Sequence, residues 1–168
     1  MLEWSEIALR LGVATLAGSA VGLNRDLHGK PIGLRTLSLV ALATSMVVAL
    51  TDPGGEVSHF SDASSRVVQG VLTGIGFLGA GVILHGESKA RVRGLTSAAL
   101  TWLTACIGIM CGAGQWRIVA VAVAITFVIL MIGGGVEKRL HRALGGRDFA
   151  HEGDKSQPSD AGPHQPGK

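Results

Sequence analysis

Five stretches of this chain are apolar for long enough to cross a bilayer, and no other feature of the sequence narrows its fold as much. They lie near residues 7–23, 32–50, 67–84, 95–113 and 118–135. Each falls within, or slightly short of, the roughly 17 to 25 residues that a transmembrane helix needs. Unsatisfied backbone groups are costly in lipid, so only helices and closed barrels span it. The apolar–polar alternation of a barrel strand is absent, which leaves helices. Hydrophobic residues make up 47% of the chain and charged residues 16%, with a mean hydropathy of +0.41, a balance far from that of ordinary soluble domains. The expected fold is all-α: a polytopic membrane bundle of about five transmembrane helices over residues 1–144, followed by a disordered cytoplasmic tail over 145–168. That tail is rich in Gly, Pro, His and Asp, a composition that cannot bury a core. Glu3 and Glu6 stand where a cleavable signal would carry Lys or Arg, so the first run reads as a retained helix.

Loop charges set the expected orientation. Arg25, Lys30 and Arg35 face Asp26 alone in the first connection, and Lys89, Arg91 and Arg93 face Glu87 in the third. The second connection is acidic apart from Arg66, and the segment after Val136 is basic again. Positive charge therefore alternates sides in step with the helices, which places the N-terminus outside and the C-terminus in the cytoplasm. The same segregation argues against nucleic acid as the reason for the basic pI. Arg10, four residues after Glu6, is expected to snorkel outward as an anchor, with a functional buried charge as the second reading. Residues 136–144 are expected to continue the last helix as a basic interfacial turn.

The third run is the unusual one. Gly70, Gly74, Gly76, Gly79 and Gly81 punctuate it, although glycine costs up to about 1 kcal/mol relative to alanine inside a helix. Close approach of helix backbones in lipid is a physical reason to keep them, and Gly74, Gly79 and Gly81 are expected to mark the tightest contacts of the bundle, with the lining of a cavity as the second reading. Gly18 with Gly22, and Gly108 with Gly112, are further small-residue pairs four apart. Trp116 fits an interfacial anchor, and Trp102 is expected to pack between helices.

The charged residues admit two readings each. Arg25, Asp26, Arg35, Arg91 and Arg93 share one membrane face, where they either lock the two loops together or hold a lipid phosphate or an acidic partner. Asp62 and Arg66 stand four apart at the start of the third helix, as expected of an acid favouring a helix N-terminus with an i,i+4 partner. Asp52, Glu56, His59 and Asp62 are oxygen and nitrogen donors, but their spacing matches no cation cage. Cys106 and Cys111 point in different directions on one helix, so neither a metal site nor a disulfide framework follows. No metal, cofactor or enzyme motif is identified: HExxH, GxSxG and a phosphate loop are missing. The glycine string from 74 to 81 follows no strand and lies at membrane depth, so it is no dinucleotide fingerprint.

Four motifs occur in order: NRDLHGKPIGLRT at 24–36; Asp62 with Arg66; GIGFLGAGVIL at 74–84, which includes Phe77; and VRGLTSAALTW at 92–102, which includes Gly94, with GIMCGAGQW at 108–116. Together they resemble the membrane domain of the MgtC/SapB family over residues 7–135. The resemblance implies a bacterial inner-membrane protein connected with growth at low magnesium and survival inside macrophages. It also implies a regulator that binds the membrane sector of the ATP synthase, rather than a magnesium transporter. Two departures stand out. Asn24 occupies a position where many relatives carry an acidic residue, and the soluble domain that follows the last helix in longer members has no counterpart in the sequence.

Two function classes follow. One is a regulator whose partners are the lipid bilayer and another membrane protein, with a second copy of the chain as a further candidate. The other is a small magnesium or cation transporter or channel subunit, and it is disfavoured because the centres of the five runs contain no Asp or Glu.

Overall fold

The computed structural model describes residues 2–30, 32–51, 62–84 and 94–143, and for 84 and 133–143 it describes the backbone alone. Five helices follow in order: α1 (Trp4–Leu27), α2 (Leu34–Thr51), α3 (Asp62–Leu84), α4 (Leu95–Gly112) and α5 (Trp116–Ala143). There is no strand among the described residues. The chain divides into two units, Met1–Leu130 and Met131–Lys168. In the second unit the described part is the end of α5, which runs to Ala143 as one continuous helix.

Among the described residues α1 to α4 are long and apolar enough to span a membrane, and α5 is apolar over its described side chains, Trp116–Ile132. Among the described residues four helices therefore meet the requirement outright, in line with the expected bundle of about five. The chain is a helical membrane protein.

Helix ends follow local chemistry. At the end of α1, Gly29 takes φ 60°, its N–H bonds the Asp26 carbonyl at 3.0 Å, and the Lys30 N–H bonds the Arg25 carbonyl at 3.2 Å. This is the paired closure that a left-handed glycine permits. The same closure recurs after α4, where Gly114 (φ 70°) and Gln115 bond the carbonyls of Cys111 and Met110. α1 thus runs past Leu23 and carries Asn24, Arg25 and Asp26 on its last turn. An apolar-run reading ends the helix at Leu23 because charges usually mark the edge of a span.

α2 is the centre of the first unit, because glycines of two neighbouring helices let it come close. A methyl group at Gly18 would lie 2.6 Å from the Leu37 carbonyl oxygen, and one at Gly22 would lie 2.5 Å from Leu34 Cα. On the other side, a methyl at Gly108 would meet Thr44 Oγ1 and the Ala41 carbonyl, and one at Gly112 would lie 2.5 Å from the Ser45 carbonyl. The glycine pairs of α1 and α4 therefore bear directly on the α2 backbone, as small-residue packing in lipid requires. Around them Ala14, Ala41, Ile107, Cys111 and Val119 form one buried cluster, and Val21, Ile32, Leu37 and Leu100 form a second. Val119 brings the start of α5 into the first cluster.

The glycine-rich helix behaves otherwise. A Cβ at Gly70, Gly74, Gly76 or Gly81 would meet nothing within 4 Å, and one at Gly79 would only touch Ala98 Cβ at 3.8 Å. The expectation that Gly74, Gly79 and Gly81 mark the tightest contacts of the bundle is therefore corrected: within one chain those contacts belong to Gly18, Gly22, Gly108 and Gly112. Of the side chains described in α3, Ile75 alone is buried. Trp102, expected between helices, is 48% exposed and faces away from the core.

Candidate functional site

Two arginines of α1 reach α4, one at each end. Arg10 is only 3% exposed. Its Nε is 3.0 Å from Glu6 Oε1, and its Nη1 donates to the Gly112 carbonyl at 2.6 Å. The guanidinium therefore sits at the C-terminal end of α4, where the helix dipole favours a cation, with a carboxylate alongside. The outward anchor expected for Arg10 is overturned. A free α4 carbonyl next to an open glycine turn draws the side chain inward, and Gly114 leaves room for it.

Arg25 makes the opposite contact. Its Nη2 donates to Ser97 Oγ at 2.6 Å, in the first turn of α4. Arg25 is 7% exposed and Ser97 is 1% exposed. The two contacts lie the same number of residues apart on both helices, 10 to 25 and 97 to 112, or about 22 Å at 1.5 Å per residue. α1 and α4 are therefore antiparallel and pinned at two points.

Asp26 is not the partner of Arg25. Its Oδ2 accepts the Leu34 backbone N–H at 2.9 Å and so caps α2 from eight residues upstream. Gly33 makes this possible, because a Cβ there would overlap the Asp26 carboxylate. The expected locking of loops through Arg and Asp thus takes another form: the acid holds a helix N-terminus, and the arginine crosses to α4. Arg35 is exposed, and Arg91 and Arg93 lie outside the described residues. Among the described residues no ion pair joins Arg25, Asp26 and Arg35.

At the start of α3, Asp62 and Arg66 are both exposed, and no ion pair joins them. Among the described residues the only ion pair is Glu6–Arg10. The Asp62 carboxylate still stands in the first turn of its helix, as the dipole favours. Phe77, 81% exposed, projects from α3. Gly94 takes φ 93° and packs beneath the Val82 carbonyl, so it joins α3 to α4 where a side chain would be strained and crowded. Among the described residues no three His, Cys, Asp or Glu side chains come together. Asp52, Glu56 and His59 lie outside the described residues.

Sequence reasoning missed the burial of Arg25 and held that of Arg10 only as a second reading. The available signals were the match between Arg10 and Gly112–Gly114, and the small Ser97 at the level of Arg25.

Comparison with known proteins adds the following. The profile of the MgtC family matches residues 11–139. Protein SrpB of Synechococcus elongatus is 40% identical over 148 residues, covering 83% of this chain and 79% of SrpB. Protein SapB of Bacillus subtilis is 35% identical over 126 residues, covering 70% of this chain and 53% of SapB. YhiD of Escherichia coli K12, whose name proposes magnesium transport, is 33% identical over 132 residues, covering 76% of this chain and 60% of YhiD. The chain thus spans most of SrpB but only about half to three-fifths of the other two. No solved structure matches it.

Proposed function

Because the chain belongs to the MgtC family, we propose that it is an inner-membrane regulator of magnesium adaptation that works by docking the open face of α3 onto another membrane protein. The observation that carries this reading is the set of unused glycines. Gly70, Gly74, Gly76 and Gly81 face nothing in their own chain, so the helix propensity lost at each, up to about 1 kcal/mol, is not offset by any internal contact. A second backbone approaching from outside supplies the offset. Gln69 and Thr73 line the same side and are exposed, and polar groups of this kind are common glue between helices in lipid. The membrane sector of the ATP synthase is the partner that the family resemblance points to, and survival inside macrophages is the setting it points to.

Transport is the weaker reading. The name of YhiD proposes it for that relative, and a role connected with magnesium is common ground for both readings. Among the described residues, however, the charged side chains buried in the bundle are Arg10 and Arg25, both cations. A buried guanidinium repels a divalent cation, whereas ion paths are lined by oxygen donors or acidic groups.

A photo-crosslinker placed at Gly74 tests the docking reading in cells grown at low magnesium. It is expected to capture a discrete membrane protein, and Gly74→Leu is expected to abolish both the cross-link and the growth phenotype while leaving the purified protein as stable as before. Saturable magnesium uptake by the purified protein in sealed vesicles, with no cross-linked partner, would overturn the reading and favour transport.

A further inference from the structure

We propose that the end of the bundle where α1 closes and α4 begins is an anion site, built to take a phosphate group. Arg25 is a cation buried to 7% exposure, and among the described residues no carboxylate pairs with it. Its Nη2 uses the Ser97 hydroxyl, but its Nε is buried and has no hydrogen-bond partner. The nearest acid in sequence, Asp26, is committed to the Leu34 N–H. A buried charge left in this condition is strongly unfavourable unless something pairs with it.

What the guanidinium points at makes the deficit larger. Ser97 lies in the first turn of α4, an 18-residue helix whose N-cap is Gly94 and which has no side-chain cap. The first intrahelical bond at this end is from the Ala98 N–H to the Gly94 carbonyl, at 2.8 Å. The N–H groups of Leu95, Thr96 and Ser97 therefore precede the ladder and share the positive end of the dipole. Two positive elements face each other there. At the other end of the same helix, Arg10 meets the negative end and has Glu6 beside it. Among the described residues Arg10 has a carboxylate in contact and Arg25 has none, and an anion at Arg25 supplies that contact.

The donors also specify the kind of anion. A guanidinium fork, a hydroxyl and a row of helix N–H groups converge from different directions, which suits a tetrahedral oxyanion with several acceptor oxygens. The Ser97 hydroxyl accepts from Arg25 and keeps its own proton to donate. The approach is along Leu95 and Thr96, which are exposed. A phosphate of this kind comes either from an anionic phospholipid headgroup or from a soluble phosphate.

The test uses the full chain purified in a neutral maltoside detergent, with thermal midpoints read in two arms. The first arm titrates inorganic phosphate against chloride at constant ionic strength. The second compares nanodiscs of phosphatidylglycerol with nanodiscs of phosphatidylcholine in phosphate-free buffer. A rise of about 3–6 °C at roughly ten times the half-saturating concentration is expected in at least one arm, as mass action gives for a chain of this length, and the responding arm identifies the source. Arg25→Gln is expected to lose the rise. Ser97→Asp, which brings a carboxylate to Arg25, is expected to raise the midpoint without any added anion and to abolish the response, so it decides the matter even if Arg25→Gln does not fold. No rise in either arm, an equal rise in Arg25→Gln, or a Ser97→Asp protein that keeps the full response would each overturn the proposal.

Discussion

A single methyl group at Gly108 probes the contact on which the bundle depends. The new Cβ would lie 2.5 Å from the Ala41 carbonyl oxygen and closer still to Thr44 Oγ1. Neither neighbour yields easily. Ala41 is fully buried, and the Thr44 hydroxyl is tied to the carbonyls of Val40 and Ala41 at 2.9 and 3.1 Å. Overpacking of this type costs about 1–3 kcal/mol, against a gain in helix propensity of up to about 1 kcal/mol. Gly74→Ala adds the same methyl where nothing lies within 4 Å, so it keeps the propensity gain and incurs no clash. The propensity contribution cancels between the two variants and leaves a contrast of about 2 kcal/mol, or roughly 4–8 °C in thermal midpoint for a protein of this size. Both proteins are purified in the same detergent and melted side by side. Combining Gly108→Ala with Thr44→Ala should restore part of the loss, because one of the two clashes goes while the Ala41 carbonyl stays. If Gly74→Ala proves as damaging as Gly108→Ala, the assignment of tight contacts to α1 and α4 is wrong.

Three further predictions follow from other contacts. Arg10→Met should destabilise the bundle by about 3 kcal/mol, because Glu6 and the Gly112 carbonyl both lose the buried partner that joins them, whereas Glu6→Gln should cost under about 1 kcal/mol, since Glu6 lies partly in solvent; chemical unfolding of each variant checks the ranking. Asp26→Ala should cost about 1 kcal/mol through loss of the cap on Leu34, and Asp26→Asn should recover most of it, as read from the same unfolding curves. Single cysteines at Ser58 and Ser88 in a background lacking Cys106 and Cys111, treated with an impermeant thiol reagent on intact cells, should label at 58 and not at 88; the reverse pattern would invert the proposed topology.

Much of the architecture is legible in the sequence, because spanning length and apolar content are properties of a segment alone. The five runs lie inside the five helices to within a few residues. The pairs Gly18–Gly22 and Gly108–Gly112 could be recognised as packing pairs from their spacing, and the structure seats both on α2. The error over α3 has a physical cause. Spacing shows that a helix has a small-residue face but does not show which neighbour, or whether any neighbour, covers it. The arginines were harder still. A charge near the end of an apolar run reads as a boundary, yet α1 continues through Arg25 to Leu27, and its cations turn inward because α4 ends on a free carbonyl at Gly112 and carries a small hydroxyl at Ser97. Such fits depend on the relative register of α1 and α4, which no single segment encodes. The cap from Asp26 to Leu34 depends on Gly33 bringing the start of α2 against the carboxylate, which spacing alone does not show.

The seating of α2 between two glycine pairs also dictates an order of assembly during synthesis. The α1–α2 hairpin can close as soon as both helices have left the insertion machinery, since Gly18 and Gly22 precede α2 in the chain. The opposite side of α2, with the Thr44 and Val48 side chains and the Ala41 and Ser45 carbonyls, waits until α3 has been made and α4 arrives with Gly108 and Gly112. During that interval the Thr44 hydroxyl, buried in the finished bundle, looks onto lipid or onto the translocon. A nascent chain delayed in this window displays an unfinished polar face to membrane proteases and chaperones. Lesions in the α4 glycines should therefore appear in cells first as shortened lifetime of the protein rather than as altered activity of the molecules that mature.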